Sequence, residues 1–296
     1  MKKDFISIWD LTPQEIYDIF NLTEKLKENF SSQPLKGKSI ALIFEKPSTR
    51  TRLSFEVGAY QLGAFPIFLS LKDIHLGKNE SLEDTARVMS RYVQAVVIRT
   101  FEQEKVERFA LNSSVPVINA LTDFLHPCQA LSDYYTLWKK GKLNEDIKFA
   151  YVGDGNNVCH SLILGAAKLG IQMVVATPEE YRPHPLILEK IKGTKIRIIT
   201  SPEEAVKDAD IVYTDVWVSM GKEEEKEKRE KIFKPYQINA SLLSLAKKDA
   251  LVMHCLPAHR GEEITDEVID SKNSIVWEQA ENRLHTQKAL LVKLLG

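Results

Sequence analysis

Cysteine is scarce in this chain: 296 residues hold three, Cys128, Cys159 and Cys255. An odd number at wide spacing does not build a disulfide framework, which sets aside the small stapled folds of secreted proteins. Net charge is equally scarce. The 40 Lys and Arg against 41 Asp and Glu leave a formal −1, so no overall field points to nucleic acid or an anionic membrane as partner. No apolar run approaches the length of a bilayer span. The opening Met1-Lys2-Lys3-Asp4-Phe5 lacks the apolar stretch of a secretory signal and is not a long Arg- and Ser-rich mitochondrial leader. These absences together predict a cytoplasmic globular protein.

What is present is length and alternation. The chain is long enough for two domains, each with its own core. Thr12-Pro13-Gln14-Glu15 is a capping box, and Ile16, Ile19, Phe20 and Leu26 follow at helical spacing. Strands are predicted over 39–45, 65–71, 93–99 and 115–120, with helices over 80–92 and 102–111. A long helix over 127–140, closed by Gly141, bridges to a second series. Its strands fall at 147–153, 171–176, 195–200, 211–215 and 250–254, with a last short one at 274–277 before a terminal helix over 279–295. This pattern predicts an α/β protein of two domains, each a parallel sheet flanked by helices, joined by linking helices. The first is placed at 1–134 and the second at 147–277. The charged run 222–231 reads as a solvated helix, with a mobile lid as the second reading.

The stretch 39–63 organises the rest. A short apolar strand runs into Pro47, then Ser48-Thr49-Arg50-Thr51-Arg52, then residues of helical content. Free backbone N–H groups and the positive end of a helix dipole gather anions at such a place. Two arginines and neighbouring hydroxyls add donors shaped for phosphate oxygens. An N-cap with two solvated arginines is the competing reading. Three further stretches stand out: His126-Pro127-Cys128-Gln129, then Asp215-Val216-Trp217-Val218-Ser219-Met220-Gly221, then His254-Cys255-Leu256-Pro257.

Together, in this order and over nearly the whole chain, these four stretches resemble the aspartate/ornithine carbamoyltransferase family. The last two resemble its ornithine-using branch in particular. The resemblance implies that carbamoyl phosphate and L-ornithine are the ligands and that no metal or organic cofactor is needed. It implies a phosphate cradle of Ser48, Thr49, Arg50 and Thr51, with Arg52 structural. Arg99, at a strand end, would reach the phosphate and the carbonyl oxygen, and His126 would donate to that oxygen. Gln129 and the Leu256 carbonyl would accept from the carbamoyl NH2, with Arg283 also at the carbamoyl end. Asn157, Asp215, Ser219 and Met220 would hold ornithine. Cys255, working with Asp215, would partner the attacking amine, so Cys255, Asp215, Arg50 and His126 form the implied catalytic set. The terminal helix would pack back on the first domain, and carbamoyl phosphate would bind first. The loop at His75 would reach a neighbouring subunit, which implies a homo-oligomer, a trimer or an assembly of trimers. Many relatives carry Gln at that position, which leaves the phosphate contact of His75 open.

Other readings compete. Gly153-Asp154-Gly155-Asn156-Asn157 suggests a dinucleotide turn, but Val158 stands where the third glycine of the fingerprint belongs. Cys/His pairs at 126/128, 159/160 and 254/255 raise zinc, but none has ligand spacing, and strand-end neighbours should point to opposite faces. A nucleophilic Cys255 is unnecessary, because an amine attacks directly. Sister transcarbamylases using putrescine, N-acetylornithine or aspartate, and a binding module without catalysis, complete the alternatives. Aspartate is disfavoured by Asp215, and putrescine lacks the α-carboxylate that Asn157 and residues 219–220 would serve.

Overall fold

Residues Ser39–Phe44 (β1) carry apolar side chains on both faces, and both faces are covered: Ile40, Leu42 and Ile43 are fully buried. A strand without a polar face needs partners above and below, which only a helix-covered parallel sheet supplies. The structure is a computed structural model, describing residues 3–28, 33–70, 80–218 and 223–296. The chain divides into two compact units, residues 1–135 with 281–296, and residues 136–280.

In the first unit, Pro13–Glu28 (α1) starts from the predicted capping box. The Thr12 hydroxyl accepts from the Glu15 N–H at 3.2 Å, and the Glu15 carboxylate accepts from the Thr12 N–H at 2.9 Å. After β1 come Thr49–Gln61 (α2), Phe65–Ser70 (β2), Leu82–Tyr92 (α3), Ala95–Arg99 (β3), Gln103–Asn112 (α4), Val117–Leu121 (β4) and Pro127–Lys139 (α5). The sheet has order β2-β1-β3-β4 and is parallel throughout. Chain order reverses between β1 and β3, so a crevice opens at their carboxyl ends.

The second unit runs through Lys148–Val152 (β5), Asn157–Leu169 (α6), Gln172–Ala176 (β6), Pro185–Lys190 (α7), Ile196–Ile199 (β7), Pro202–Val206 (α8) and Ile211–Thr214 (β8). It continues with Lys226–Phe233 (α9), Ala240–Leu243 (α10), Leu251–His254 (β9) and Asp266–Ile269 (α11). This sheet is also parallel, with order β7-β6-β5-β8-β9. Its switch point lies between β5 and β8. Val276–Leu295 (α12) carries the chain back, and the boundary between units falls inside it, as another falls inside α5. Among the described residues no helix is long and apolar enough to cross a membrane.

The strand expected at 274–277 is not there. Ser274 makes one isolated bridge with Val252, Ile275 donates to the Val252 carbonyl, and α12 begins at Val276. Ile275-Val276-Trp277 has strand-like composition, but helical backbone buries Val276 fully and leaves Trp277 60% exposed. Packing overrides local propensity here. The early start also places Arg283 two turns inside α12.

Ile43 sits mid-strand in β1 with helices covering its sheet. Ile43→Ala should lower unfolding free energy by about 2–5 kcal/mol, read from urea denaturation. A cost under about 1 kcal/mol would mean that this strand is not a packed centre.

Candidate functional site

In the first unit the switch point gathers the cationic residues. Ser48 is the N-cap of α2, its Oγ accepting from the Thr51 N–H at 3.1 Å. The hydroxyl proton of Ser48 therefore remains to donate, and the dipole of a 13-residue helix points at the same spot. Arg99, the last residue of β3, is buried, and its Nε–H has no hydrogen-bond partner. Its guanidinium reaches the Thr51 hydroxyl at 3.5 Å, and that of Arg283 reaches the same oxygen at 3.4 Å. Arg283 also donates to Gln129 Oε1 at 2.6 Å and to Gln287 Oε1 at 2.8 Å.

Burial and the charges of Arg283 and Arg50 push Arg99 down to about 10, so it stays a cation at neutral pH. His126 is buried in the same unit. Burial first, then Arg283, Arg99 and Arg50, hold it well below the ordinary imidazole range. A neutral imidazole at pH 7 donates one N–H and adds no further positive charge. A buried cluster of like charges with an unused donor is built for an anion. Gln129 is oriented at both ends, since its Nε2 donates to Asp133 at 2.9 Å. One lone pair of its oxygen remains beyond the Arg283 contact. Arg52 is occupied elsewhere, over the Phe68 ring at 3.5 Å and paired to Glu56 at 3.1 Å. Cys128 is packed in the interior, where burial pushes its thiol up to about 12.

In the second unit the switch point gathers an acidic cluster. Asp215 follows β8 and is buried. Its Oδ1 accepts from Cys255 Sγ at 2.9 Å and from the Val216 N–H at 2.8 Å, and its Oδ2 accepts from Asn156 Nδ2 at 2.7 Å. Asn156 thus does two jobs: its oxygen caps α6 through the Val158 and Cys159 N–H groups, and its nitrogen aims the carboxylate. Asn157 is the first residue of α6. Ser219 and Met220, like His75, lie outside the described residues.

Leu256 has φ +59, a left-handed conformation that a branched side chain rarely adopts. Its N–H donates to His254 Nδ1 at 2.8 Å, which puts the ring hydrogen on Nε2, 3.0 Å from the Glu263 carboxylate. His254 and Glu263 are both fully buried. Asp215, His254 and Cys255 bring potential ligand atoms within 4.8 Å of one another. The expectation that His254 and Cys255 point apart is therefore corrected. β9 ends at His254, so strand alternation no longer governs Cys255. Both nitrogens of His254 are already engaged, so the trio does not offer a free imidazole ligand.

Sequence reading passed over three of these groups. Asn156 was legible as an N-cap, but its second bond was not. Glu263 gives no local signal. Arg229 stood in a run read as solvated, yet it is buried, donating to Asp154 Oδ2 and the Trp217 carbonyl, both at 2.9 Å, and to Glu225 at 2.7 Å. It ties the turn after β5 to the turn after β8. The neighbouring residues 224–228 are exposed as expected. Gly155 also has a local explanation. A Cβ there would meet the Tyr181 carbonyl oxygen at 2.4 Å and the Pro183 nitrogen at 2.5 Å. Protein backbone fills the approach that a dinucleotide pyrophosphate would need.

Comparison with known proteins finds two family descriptions that cover the chain. "Aspartate/ornithine carbamoyltransferase, carbamoyl-P binding domain" matches residues 3–139, and "Aspartate/ornithine carbamoyltransferase, Asp/Orn binding domain" matches residues 145–294. The chain is 53% identical over 300 residues to a protein of Archaeoglobus fulgidus named ornithine carbamoyltransferase, covering 99% of this chain and 98% of that one. The solved ornithine carbamoyltransferase of Pyrococcus furiosus superposes with a TM-score of 0.96 at 49% identity, over 100% of this chain and 97% of the other. That of Thermus thermophilus gives 0.91 at 41% identity, over the whole of both chains.

The low basicity of buried His126 has a consequence for stability. The unfolded imidazole takes up a proton as pH falls below about 6.5, while the folded one stays neutral. Stability is therefore full above that pH and falls by up to about 1.4 kcal/mol per unit below it. His126→Gln should flatten the acid side of the stability–pH curve, measured by urea unfolding between pH 7 and 5. An unchanged slope would mean that His126 protonates in the folded protein.

Proposed function

We propose that this chain, which belongs to the aspartate/ornithine carbamoyltransferase family, transfers the carbamoyl group of carbamoyl phosphate to the side-chain amine of L-ornithine, giving L-citrulline and phosphate. The observation that carries this reading is the charge gathered at the two switch points, one in each unit. One is cationic around Arg50, Arg99 and Arg283, and the other is anionic around Asp215 and Cys255.

The phosphate of the donor takes the N-terminus of α2, with Ser48, Thr49, Thr51 and Arg50 supplying donors. Its carbonyl oxygen faces His126 and Arg99, where a hydrogen bond strengthens as negative charge develops in the tetrahedral intermediate. The carbamoyl NH2 donates to the remaining lone pair of Gln129 and to the Leu256 carbonyl. Ornithine takes Asn157, Asp215 and the segment at Ser219 and Met220. An alkyl amine is protonated at neutral pH and attacks only after losing a proton. The hydrogen-bonded Cys255–Asp215 pair holds the ammonium and takes that proton. The new C–N bond forms, the C–O bond to phosphate breaks, and the leaving phosphate keeps the electron pair beside the arginines. The scheme calls for no metal or organic cofactor.

The oligomer is a homotrimer or an assembly of trimers. Leu53, Val57 and Tyr60 lie on one face of α2, 53%, 38% and 76% exposed, with Phe65 67% exposed at the start of β2. Such an apolar stripe suits a second copy of the chain. Three cysteines, none in a disulfide, suit the reducing cytoplasm. The name of a relative from Pyrococcus furiosus includes the word anabolic, which supports amino-acid biosynthesis as the setting here.

Purified protein with carbamoyl phosphate should form a ureido product from ornithine and none from putrescine, N-acetylornithine or aspartate. Product from another amine alone would overturn the roles given to Asp215, Ser219 and Met220. Arg50→Ala removes charge-assisted contacts to a dianion and should cost about 2–4 kcal/mol in kcat/KM for carbamoyl phosphate. Near-normal turnover in that variant would remove the cradle assignment.

A further inference from the structure

We infer that Glu45 and Lys46, adjacent residues at the carboxyl end of β1, are positioning residues that fasten together the three turns carrying Ser48 to Thr51, Arg99 and His126. The inference rests on the carbamoyl-transfer reading above. It starts from an anomaly: a buried carboxylate three residues before an anion cradle repels the ligand unless its charge is spent elsewhere. The Glu45 side chain is only 6% exposed.

Its charge is spent, and on two specific groups. One carboxylate oxygen pairs with Lys105 of α4, and the other accepts from the Thr100 hydroxyl at 2.6 Å. The Glu45 N–H donates to the Arg99 carbonyl at 2.8 Å. The residues on both sides of the Arg99–Thr100 peptide are therefore held from β1. Thr100 is fully buried, and its N–H donates to the Leu121 carbonyl at 3.0 Å, which passes the constraint to the end of β4.

Lys46 reaches a different turn. Its ammonium is buried, paired with Asp123 and 4.2 Å from the centre of the Phe101 ring. The Asp123 N–H donates to the Phe101 carbonyl at 2.8 Å, and His126 follows three residues later. The Thr122 hydroxyl accepts from the Leu125 N–H at 2.9 Å and closes the turn onto His126. Each turn thus carries one tether within three residues of a group that faces the phosphate or the carbonyl oxygen. The Lys46–Asp123 pair is buried at the lysine end only, with Asp123 59% exposed, so it adds little stability, and what these tethers supply is geometry. Donors aimed at a developing charge depend on geometry most.

The test is steady-state kinetics on full-length Glu45→Ala, Glu45→Gln and Thr100→Val, with calorimetric titration of inorganic phosphate. Glu45→Ala loses both tethers, Glu45→Gln keeps an acceptor for Thr100, and Thr100→Val deletes the hydroxyl alone. The KM for carbamoyl phosphate and the Kd for phosphate should rise at least about tenfold in Glu45→Ala. The ornithine KM at saturating carbamoyl phosphate should stay within about twofold. Glu45→Gln should recover most of the loss. Thr100→Val should fall between and gives the same readout if Glu45→Ala does not fold. Parental phosphate constants in both Glu45→Ala and Thr100→Val would overturn the inference. So would a joint rise of both KM values with a lowered Tm, which signals general loosening. A parent protein that carbamoylates no amine would sink the underlying reading, whereas an active parent with unaffected variants would sink this inference alone.

Discussion

Like charges held close together inside a protein repel, and each loses solvation. The first unit accepts that cost at Arg50, Arg99 and Arg283, whose fields converge on His126. For Arg99 the drop to about 10 corresponds to roughly 3 kcal/mol opposing its charge. A group held against such opposition needs a rigid frame. The parallel sheet supplies one, because β1, β3 and β4 all end at the same edge and deliver Ser48, Arg99 and the turn to His126. α12 supplies the fourth wall by bringing Arg283 against Thr51 and Gln129. A dianionic phosphate at this place would turn repulsion into attraction.

The second unit solves the complementary problem. A buried carboxylate needs its oxygens satisfied and aimed. Asp215 has three donors, the Asn156 amide, the Val216 N–H and the Cys255 thiol. The two turns that meet here are tied by buried Arg229, which spans Asp154 and the Trp217 carbonyl. Removing either partner of such a pair leaves an uncompensated charge indoors, which explains why a buried arginine persists in a mostly exposed helix.

Glu263, His254 and Leu256 show how a strained turn is kept. A left-handed leucine costs on the order of 1 kcal/mol or more. The Leu256 N–H is held by His254, and His254 by a fully buried carboxylate. The strain sits beside Cys255, where the backbone must leave the strand direction at once to present both the thiol and the next carbonyl.

Much of this was legible in the order of residues. Apolar runs gave the nine strands to within about two residues, because a buried parallel strand has few ways to be written, while the short helices at 185–190, 202–206, 240–243 and 266–269 gave no clear signal. The Ser48 cap was legible because a cap is a local feature of the backbone. Only the first turn of the helix at 276–295 escaped, because Ile275 to Trp277 suit a strand until packing buries Val276. Arg229 and Glu263 escaped for a deeper reason. Their partners stand 75 and 9 residues away, and a charged side chain looks the same in sequence whether water or a buried counter-ion meets it. The sequence by itself determined the strands and the two parallel sheets, set by short-range backbone preference and apolar period, and its four motifs carried the family resemblance. Only the tertiary structure decided which charges are buried, which donors are left unused, and which side chains hold others in place, because those depend on distances between segments remote along the chain.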